Sequence, residues 1–379
     1  MKRILVSFLV ALSLAAQAQA PLPPEIAARN YVLIDLTAHK TLAEREADAP
    51  QDPASLTKLM TAYVAFGALR DKKLALDQTL PVSRRAASER KGDLMFIDTT
   101  MTPKVDELLR GLIVQNGNDA AVALAEGVSG SVENFVQLMN RQAQAWGLKN
   151  TEFKNVTGLS EPGQKSTARD MATVAAHIIT DFPEYYGYYA QRDYIFNKIR
   201  QDNGNLLLRR DPTVDGLKAG FADGAGFSLV ASANREFPNG KRRLLSVVMG
   251  TASKDARAGE SQKLLNWGYT AFDAVKIFDA GKAIKTVSVW KGEAKEAKLG
   301  AADAVYVAVP RGDAGKLQTQ VEHIDPLVAP LNKGQRVGTL RITTTTGTPV
   351  AEVPLIVQEA VPVSGLFGRA FDSIRLWIK

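Results

Sequence analysis

Asp52-Pro53-Ala54-Ser55-Leu56-Thr57-Lys58-Leu59-Met60 places a helix start and a chemical pair in one turn of chain. Asp52 stands where an N-cap is expected, and Pro53 at the first helical position, where its missing N–H costs nothing. Leu56, Leu59, Met60, Tyr63 and Val64 then recur at helical spacing and predict the buried stripe. Ser55 and Lys58 lie three apart in the first turn, so both side chains project to nearly the same side. A serine hydroxyl does not attack at neutral pH unaided, but a lysine whose pKa is lowered by burial can take its proton. The helix N-terminus adds free N–H groups and positive dipole, useful where a carbonyl oxygen becomes an anion.

By composition, such a pair is expected about once by accident in a chain like this. A second copy does occur, Ser288-Val289-Trp290-Lys291. It falls in a predicted strand, where positions three apart face opposite sides, so its serine and lysine could not cooperate. Of these two, the copy at Ser55 has the geometry that works.

Outward from that helix, Tyr31 to Leu36 predicts a strand and Lys40 to Arg45 its hairpin partner. Helical periods dominate from Val105 to Trp146 and from Thr167 to Ile179, and the texture turns to β from Val214, with Phe227 to Ala233 and Leu244 to Met249 as strand runs. Ala256 to Phe272 returns to helix. This order predicts an α+β domain, an antiparallel sheet flanked by helices, whose first and last strands meet. Beyond about Val275 short β-branched runs (Thr286 to Trp290, Ala304 to Val309, Val337 to Thr343, Val350 to Val357) alternate with turn residues and predict a small all-β domain.

The two ends carry addresses. Lys2 and Arg3, the apolar run Ile4 to Ala16 and the pattern Ala16-Gln17-Ala18 read as a cleaved export signal over 1–18, the apolar run being shorter than the roughly 20 residues that span a bilayer. At the other end Val363, Leu366, Phe367, Ala370, Phe371, Ile374, Trp377 and Ile378 share one helical face, with Ser364, Arg369, Asp372, Arg375 and Lys379 on the remaining arc. Such a helix suits a membrane interface, apolar side down, although docking on its own protein is the commoner fate. The predicted divisions are therefore 1–18 signal, 19–274 catalytic domain, 275–362 β domain and 363–379 amphipathic anchor.

Composition narrows the chemistry. The chain has no cysteine, hence no disulfide framework, thiolate nucleophile or thiolate metal site. His39, His177 and His323 are far apart and show no two-histidine ligand spacing, and His177 reads as a packed or solvent-tipped side chain. No metal or cofactor is expected. Without Lys2 and Arg3 there are 45 basic against 40 acidic side chains, a modest excess that suits an anionic polymer or membrane surface. No aromatic-plus-basic signature of nucleic-acid binding accompanies it.

Tyr31 to Leu36, Asp52 to Met60, Leu112-Ile113-Val114-Gln115-Asn116-Gly117-Asn118-Asp119-Ala120 and Val214-Asp215-Gly216-Leu217-Lys218-Ala219-Gly220 together resemble, in order and spacing, the motif series of the D-alanyl-D-alanine carboxypeptidases, the low-molecular-mass penicillin-binding proteins. Gly147 to Leu159, Ser166 to Ala172, the β-rich tail and the terminal helix match as well, so the resemblance covers nearly the whole chain. It implies a β-lactamase/transpeptidase-like fold for the first domain. It implies Ser55 as acylated nucleophile, Lys58 as its base, Asn118 as an amide gripping the substrate peptide, and Lys218 as a cation near the substrate carboxylate. The backbone N–H groups of Ser55 and Phe221 would hold the oxyanion. The substrate would be the pentapeptide stem of peptidoglycan, with β-lactams as mimics, and the location the periplasmic face of the bacterial inner membrane, attached peripherally through 363–379.

Three positions depart from the resembled pattern. Asn116 stands where serine usually begins the second motif, Ala219 where threonine follows the lysine of the third, and Gly204 is the nearest equivalent of an arginine common upstream. Two lost contacts to a carboxylate, each worth roughly 1.5–3 kcal/mol, would weaken recognition by about two to four powers of ten if they added. The alternative to an active carboxypeptidase is thus a catalytically impaired peptidoglycan-binding or scaffold member. A β-lactamase on the same domain is a third reading, opposed by the β-rich tail and by the lack of a segment supplying a deacylating glutamate.

Overall fold

The computed structural model describes residues 21–238 and 240–366, together with 369, 372 and 373. Strands β1 (Asn30–Asp35) and β2 (Lys40–Arg45) form the expected hairpin. Helices α1 (Thr57–Arg70), α2 (Arg84–Ala87), α3 (Val105–Arg110), α4 (Asn118–Ser129), α5 (Val132–Ala145) and α6 (Ala168–Asp181) follow. A short hairpin of β3 (Asp193–Phe196) and β4 (Ile199–Asp202) and helix α7 (Leu207–Arg210) lead into β5 (Val214–Ala222), β6 (Gly226–Phe237), β7 (Gly240–Thr251) and α8 (Lys254–Ala271).

The central sheet runs β2-β1-β7-β6-β5, antiparallel throughout, so the first strand of the domain pairs with the last. Its middle strands are covered on both faces, which is why they read as near-continuous apolar runs. Along β7, Leu245, Val247 and Met249 join one core with α1, α4 and α6, while Leu244 and Val248 join a second core with Leu264 and Leu265 of α8. Period-two alternation thus feeds two layers instead of one. Helix α1 differs from the predicted stripe in the same way: Thr57 through Tyr63, Ala65, Phe66, Ala68 and Leu69 are all buried, because α1 is enclosed by other helices. Val64 is only half-buried, packed at the edge of the first core.

β8 (Phe272–Phe278) follows α8 without a loop and pairs with β11 (Val305–Pro310). The remaining strands, β9 (Lys285–Trp290), β10 (Glu296–Gly300), β12 (Leu317–His323), β13 (Leu327–Val328), β14 (Arg336–Thr344) and β15 (Pro349–Val357), make a six-stranded sheet ordered β12-β14-β15-β10-β9-β13. Ser288 of the second serine–lysine copy lies in β9 as predicted, but Lys291 lies just beyond its end at φ 59°, so strand alternation does not itself set the relation of the two side chains. At the joint to the first domain Lys40 Nζ donates to Ala308 O at 2.9 Å and Arg242 Nη1 to Phe272 O at 2.9 Å, and Phe237 of β6 meets Tyr306 of β11 edge-on, centroids 6.2 Å apart.

The predicted signal over 1–18 lies outside the described residues. Of the predicted terminal helix only its start and a few positions are described: Val363 bridges to Gly292, Leu366 is exposed, and Asp372 is buried, accepting the Lys291 N–H at 2.7 Å. Asp372, expected on the polar arc, therefore docks on the β domain. No helix among the described residues is long and apolar enough to cross a membrane. His177 stacks flat on Trp146, ring centroids 4.0 Å apart, with Nδ1 2.9 Å from Asp181 Oδ2.

Arg242 Nε donates to Asp35 Oδ2 at 2.7 Å, and both side chains are almost wholly buried. Asp35 Oδ1 also accepts from the Thr37 and Ala38 N–H groups, closing the β1–β2 turn. Removing one partner of such a pair strands the other charge in the interior. Asp35→Ala is expected to cost about 3–5 kcal/mol of unfolding free energy in denaturant titration, whereas exposed pairs such as Lys73–Asp71 should cost well under about 1 kcal/mol.

Candidate active site

Asp52 Oδ1 accepts the Ala54 N–H at 2.8 Å, but the helix starts later than predicted: Pro53, not Asp52, is the N-cap of a 3-10 turn over Ala54–Leu56, and α1 begins at Thr57. Ala54 sits at φ 49°, a left-handed conformation held immediately before Ser55. Gly158, at φ +81°, packs on this turn so closely that a Cβ there would lie 1.9 Å from Ala54 O. On the opposite side β5, the edge strand of the sheet, passes the helix start, and a Cβ on Gly220 would stand 3.3 Å from the Ser55 nitrogen.

Lys58 is 1% exposed. Its Nζ donates to Thr157 O at 2.5 Å and lies 3.4 Å from Ser55 Oγ. Burial lowers its pKa to about 7, against the opposing pull of Asp93, Glu89 and Asp119. Near neutral pH a substantial share of this amine is therefore uncharged and able to accept a proton.

The second segment reaches the same point from another direction. Residues Gly111–Gln115 form one wide π turn, a frequent feature beside functional sites. Its carbonyls at Leu112 and Ile113 accept from Lys218 Nζ of β5 at 2.7 and 3.1 Å. Lys218 is buried, which pushes its pKa well down, and the neighbouring Lys58 pushes the same way. Asn116, at φ 70°, turns its side chain to Ser55, Nδ2 to Oγ 3.1 Å, and donates from the same nitrogen to Asp93 Oδ2 at 2.7 Å. Asn118 is buried behind it, with Nδ2 committed to Lys91 O at 2.7 Å.

Beside these groups lies a cavity of about 300 Å³ lined by Asp93, Asn116, Gly204, Lys218, Ala219, Phe221 and Arg257, among others. Ser55, Lys58, Asn116, Lys218, Ala219 and Phe221 are thus gathered in one place from three distant segments. Phe221 exposes its ring against Phe227, centroids 4.4 Å apart.

Two residues at this place carried no signal in the sequence. Arg257, read only as part of a helical run, projects from α8 and donates to Gly220 O at 2.8 Å and Gly204 O at 3.1 Å. It is 5% exposed, and burial lowers its pKa to about 10, so it stays charged at neutral pH. An arginine therefore occupies the surroundings of Gly204, where one was missing by sequence. Asp93 lies in an aperiodic stretch between α2 and α3 that no pattern singled out.

A serine hydroxyl set between a buried amine and an amide, at a helix start beside an edge strand, defines a serine acyl-transfer enzyme. The chain belongs to the D-alanyl-D-alanine carboxypeptidase family, which matches residues 16–253, and residues 272–363 match the C-terminal domain of penicillin-binding protein 5. It is 42% identical over 376 residues to the D-alanyl-D-alanine carboxypeptidase DacC of Escherichia coli K12, covering 97% of this chain and 93% of that one. It is 41% identical over 361 residues to DacA of Haemophilus influenzae, covering 94% and 91%. Among solved structures, penicillin binding protein 5 from Haemophilus influenzae superposes with a TM-score of 0.85 at 42% identity, covering 90% of this chain and 99% of that one. Escherichia coli penicillin binding protein 6B gives 0.73 at 35% identity, covering 89% and 97%.

If Lys58, its pKa lowered by burial to about 7, is the proton acceptor, acylation by a penicillin should drop about tenfold for each pH unit below that pKa and level off above it. Stopped-flow acylation rates across the range check this; a flat profile would exclude Lys58 as the proton acceptor.

Proposed function

We propose that this chain is a serine-type D-Ala-D-Ala carboxypeptidase that removes the terminal D-Ala of peptidoglycan stem pentapeptides through an acyl-enzyme on Ser55. The observation that carries the reading is the position of Ser55 Oγ between Lys58 Nζ and Asn116 Nδ2. Lys58 takes the hydroxyl proton as Oγ bonds to the penultimate D-Ala carbonyl carbon. The resulting oxyanion is held by the Ser55 and Phe221 N–H groups, and the proton passes to the departing D-Ala nitrogen as the C–N bond breaks. Water then hydrolyses the ester. Asn118, expected to grip the substrate peptide, is buried with its Nδ2 on Lys91 O, so that role needs its remaining amide groups to turn toward the cavity.

The substrate carboxylate needs a standing positive charge, and Lys218 supplies it poorly because burial beside Lys58 disfavours its ammonium. Arg257, charged and at the cavity wall, takes that role together with Lys218, which offsets the absent hydroxyl at Ala219. This favours activity over the scaffold reading.

The division into signal 1–18, catalytic domain 19–274, β domain 275–362 and anchor 363–379 belongs to the same proposal, as does attachment to the periplasmic face of the inner membrane. A modest basic excess and the expected amphipathic terminus support it.

Incubation with labelled penicillin followed by mass spectrometry is expected to place one adduct on Ser55, and D-Ala release from a stem pentapeptide should exceed that of Ser55→Ala by orders of magnitude. No adduct and no release above that variant would defeat the proposal. Ala219→Thr should raise kcat/KM for the pentapeptide about 10- to 100-fold, the worth of one hydrogen bond to a charged group.

A further inference from the structure

We propose that Asp93 is a positioning residue for acylation, its carboxylate locking the Asn116 amide so that an N–H, and never the carbonyl, faces Ser55 Oγ. The inference rests on the reading of Ser55 as nucleophile given above.

A side-chain amide can turn either end toward a neighbour, and here the two ends have opposite consequences. Were Asn116 Oδ1 to face Ser55, it would accept the serine O–H and draw the proton away from Lys58. With Nδ2 there, one hydrogen goes to an Oγ lone pair, which leaves the serine proton free for Lys58 and favours the developing alkoxide. A carboxylate is acceptor only, so whatever stands 2.7 Å from Asp93 Oδ2 must donate. Flipping Asn116 would set its carbonyl oxygen against that carboxylate. The charged acceptor also polarises the amide, making its second N–H a better donor.

The backbone that carries Asp93 is in turn held in place. Asn118 N donates to Asp93 O at 2.8 Å, Asn118 Nδ2 to Lys91 O, and Gln115 Nε2 to Leu94 O at 3.0 Å. Buried Asp119 accepts the Met95 and Phe96 N–H groups, both at 2.8 Å. Residues 91–96 are thus strapped to the start of α4, and a Cβ on Gly92 would lie 2.7 Å from Asn118 Nδ2. The same short segment that supplies Asn116 builds the perch for the acid that orients it.

The charge of Asp93 has a second readout. Lys58 is faced by Asp93, Glu89 and Asp119, which raise its pKa, and by Lys218. Removing the first lowers the pKa of Lys58 further, so the acid limb of the acylation profile moves to lower pH.

The test is a double-mutant cycle on the full chain: Asp93→Ala, Asn116→Ser and the pair, with acylation by a fluorescent penicillin followed across pH, and thermal melting alongside. Asp93→Ala alone should slow acylation about 10- to 100-fold and shift the acid limb downward. In the Asn116→Ser background, where no amide is left to orient, the same change should cost less than about threefold. Asp93→Asn, which keeps shape and can still accept from Asn116, should recover part of the rate while keeping the shifted limb. Equal losses in both backgrounds, or an unmoved limb in Asp93→Asn, would overturn the inference while leaving Ser55 acylation intact. A parent chain that forms no adduct overturns the reading beneath it as well. Should Asp93→Ala melt early, Asp93→Asn in both backgrounds carries the cycle.

Discussion

An amine taken out of water beside a serine hydroxyl is the constraint on which the site depends. Lys58 is the fourth residue of a turn that, on the surface, would keep its lysine solvated and charged. Enclosure of α1 by the other helices removes that option, and the Thr157 carbonyl gives the buried Nζ a single strong acceptor. Desolvation disfavours the ammonium form. The stability lost in burying Lys58 is what leaves a substantial share of its amine uncharged, and so free to accept a proton, near neutral pH; the packing around α1 and the protonation state beside Ser55 are one arrangement.

The backbone around that pair is shaped to the same end. Gly158 and Gly220 let two chain segments close on the Ala54–Leu56 turn where any side chain would collide or push it away. The π turn Gly111–Gln115 leaves carbonyls for Lys218 that a regular helix would have used internally. A second buried lysine, Lys218, then sits close enough to Lys58 for that neighbour to add to the desolvation that holds Lys218 below its usual basicity.

The positions that depart from the family pattern are surrounded by groups of compensating chemistry. Ala219 donates nothing, yet Arg257 lies against the same cavity. Asn116 cannot pass a proton as a hydroxyl does, yet Asp93 sits where it can hold that amide in donating orientation. Each substitution considered alone suggests loss; with its neighbours it suggests that similar electrostatics are produced by other side chains.

Much of this protein was legible from its residues. Hydrophobic period gave the strand pair, the helices and the β-rich tail, because burial of one face leaves a repeat that local sequence must carry. Ser55 and Lys58 were readable because a helical turn sets their relation within four residues. The two-sided burial of β7 and the enclosure of α1 were not, since a run of apolar residues does not say how many layers cover it. Nor were Asp93 and Arg257: an isolated acid in a loop and an arginine in a helix carry no period, and only the meeting of α4, α8 and β5 gives them neighbours. Asp372 shows the same limit, its helical phase pointing to solvent and its hydrogen bond to Lys291 deciding otherwise. Sequence determined which chemical groups the chain possesses and the local turn that pairs two of them; tertiary structure decided which charges lose water and which face each other, because desolvation and long-range contact are properties of the packed whole.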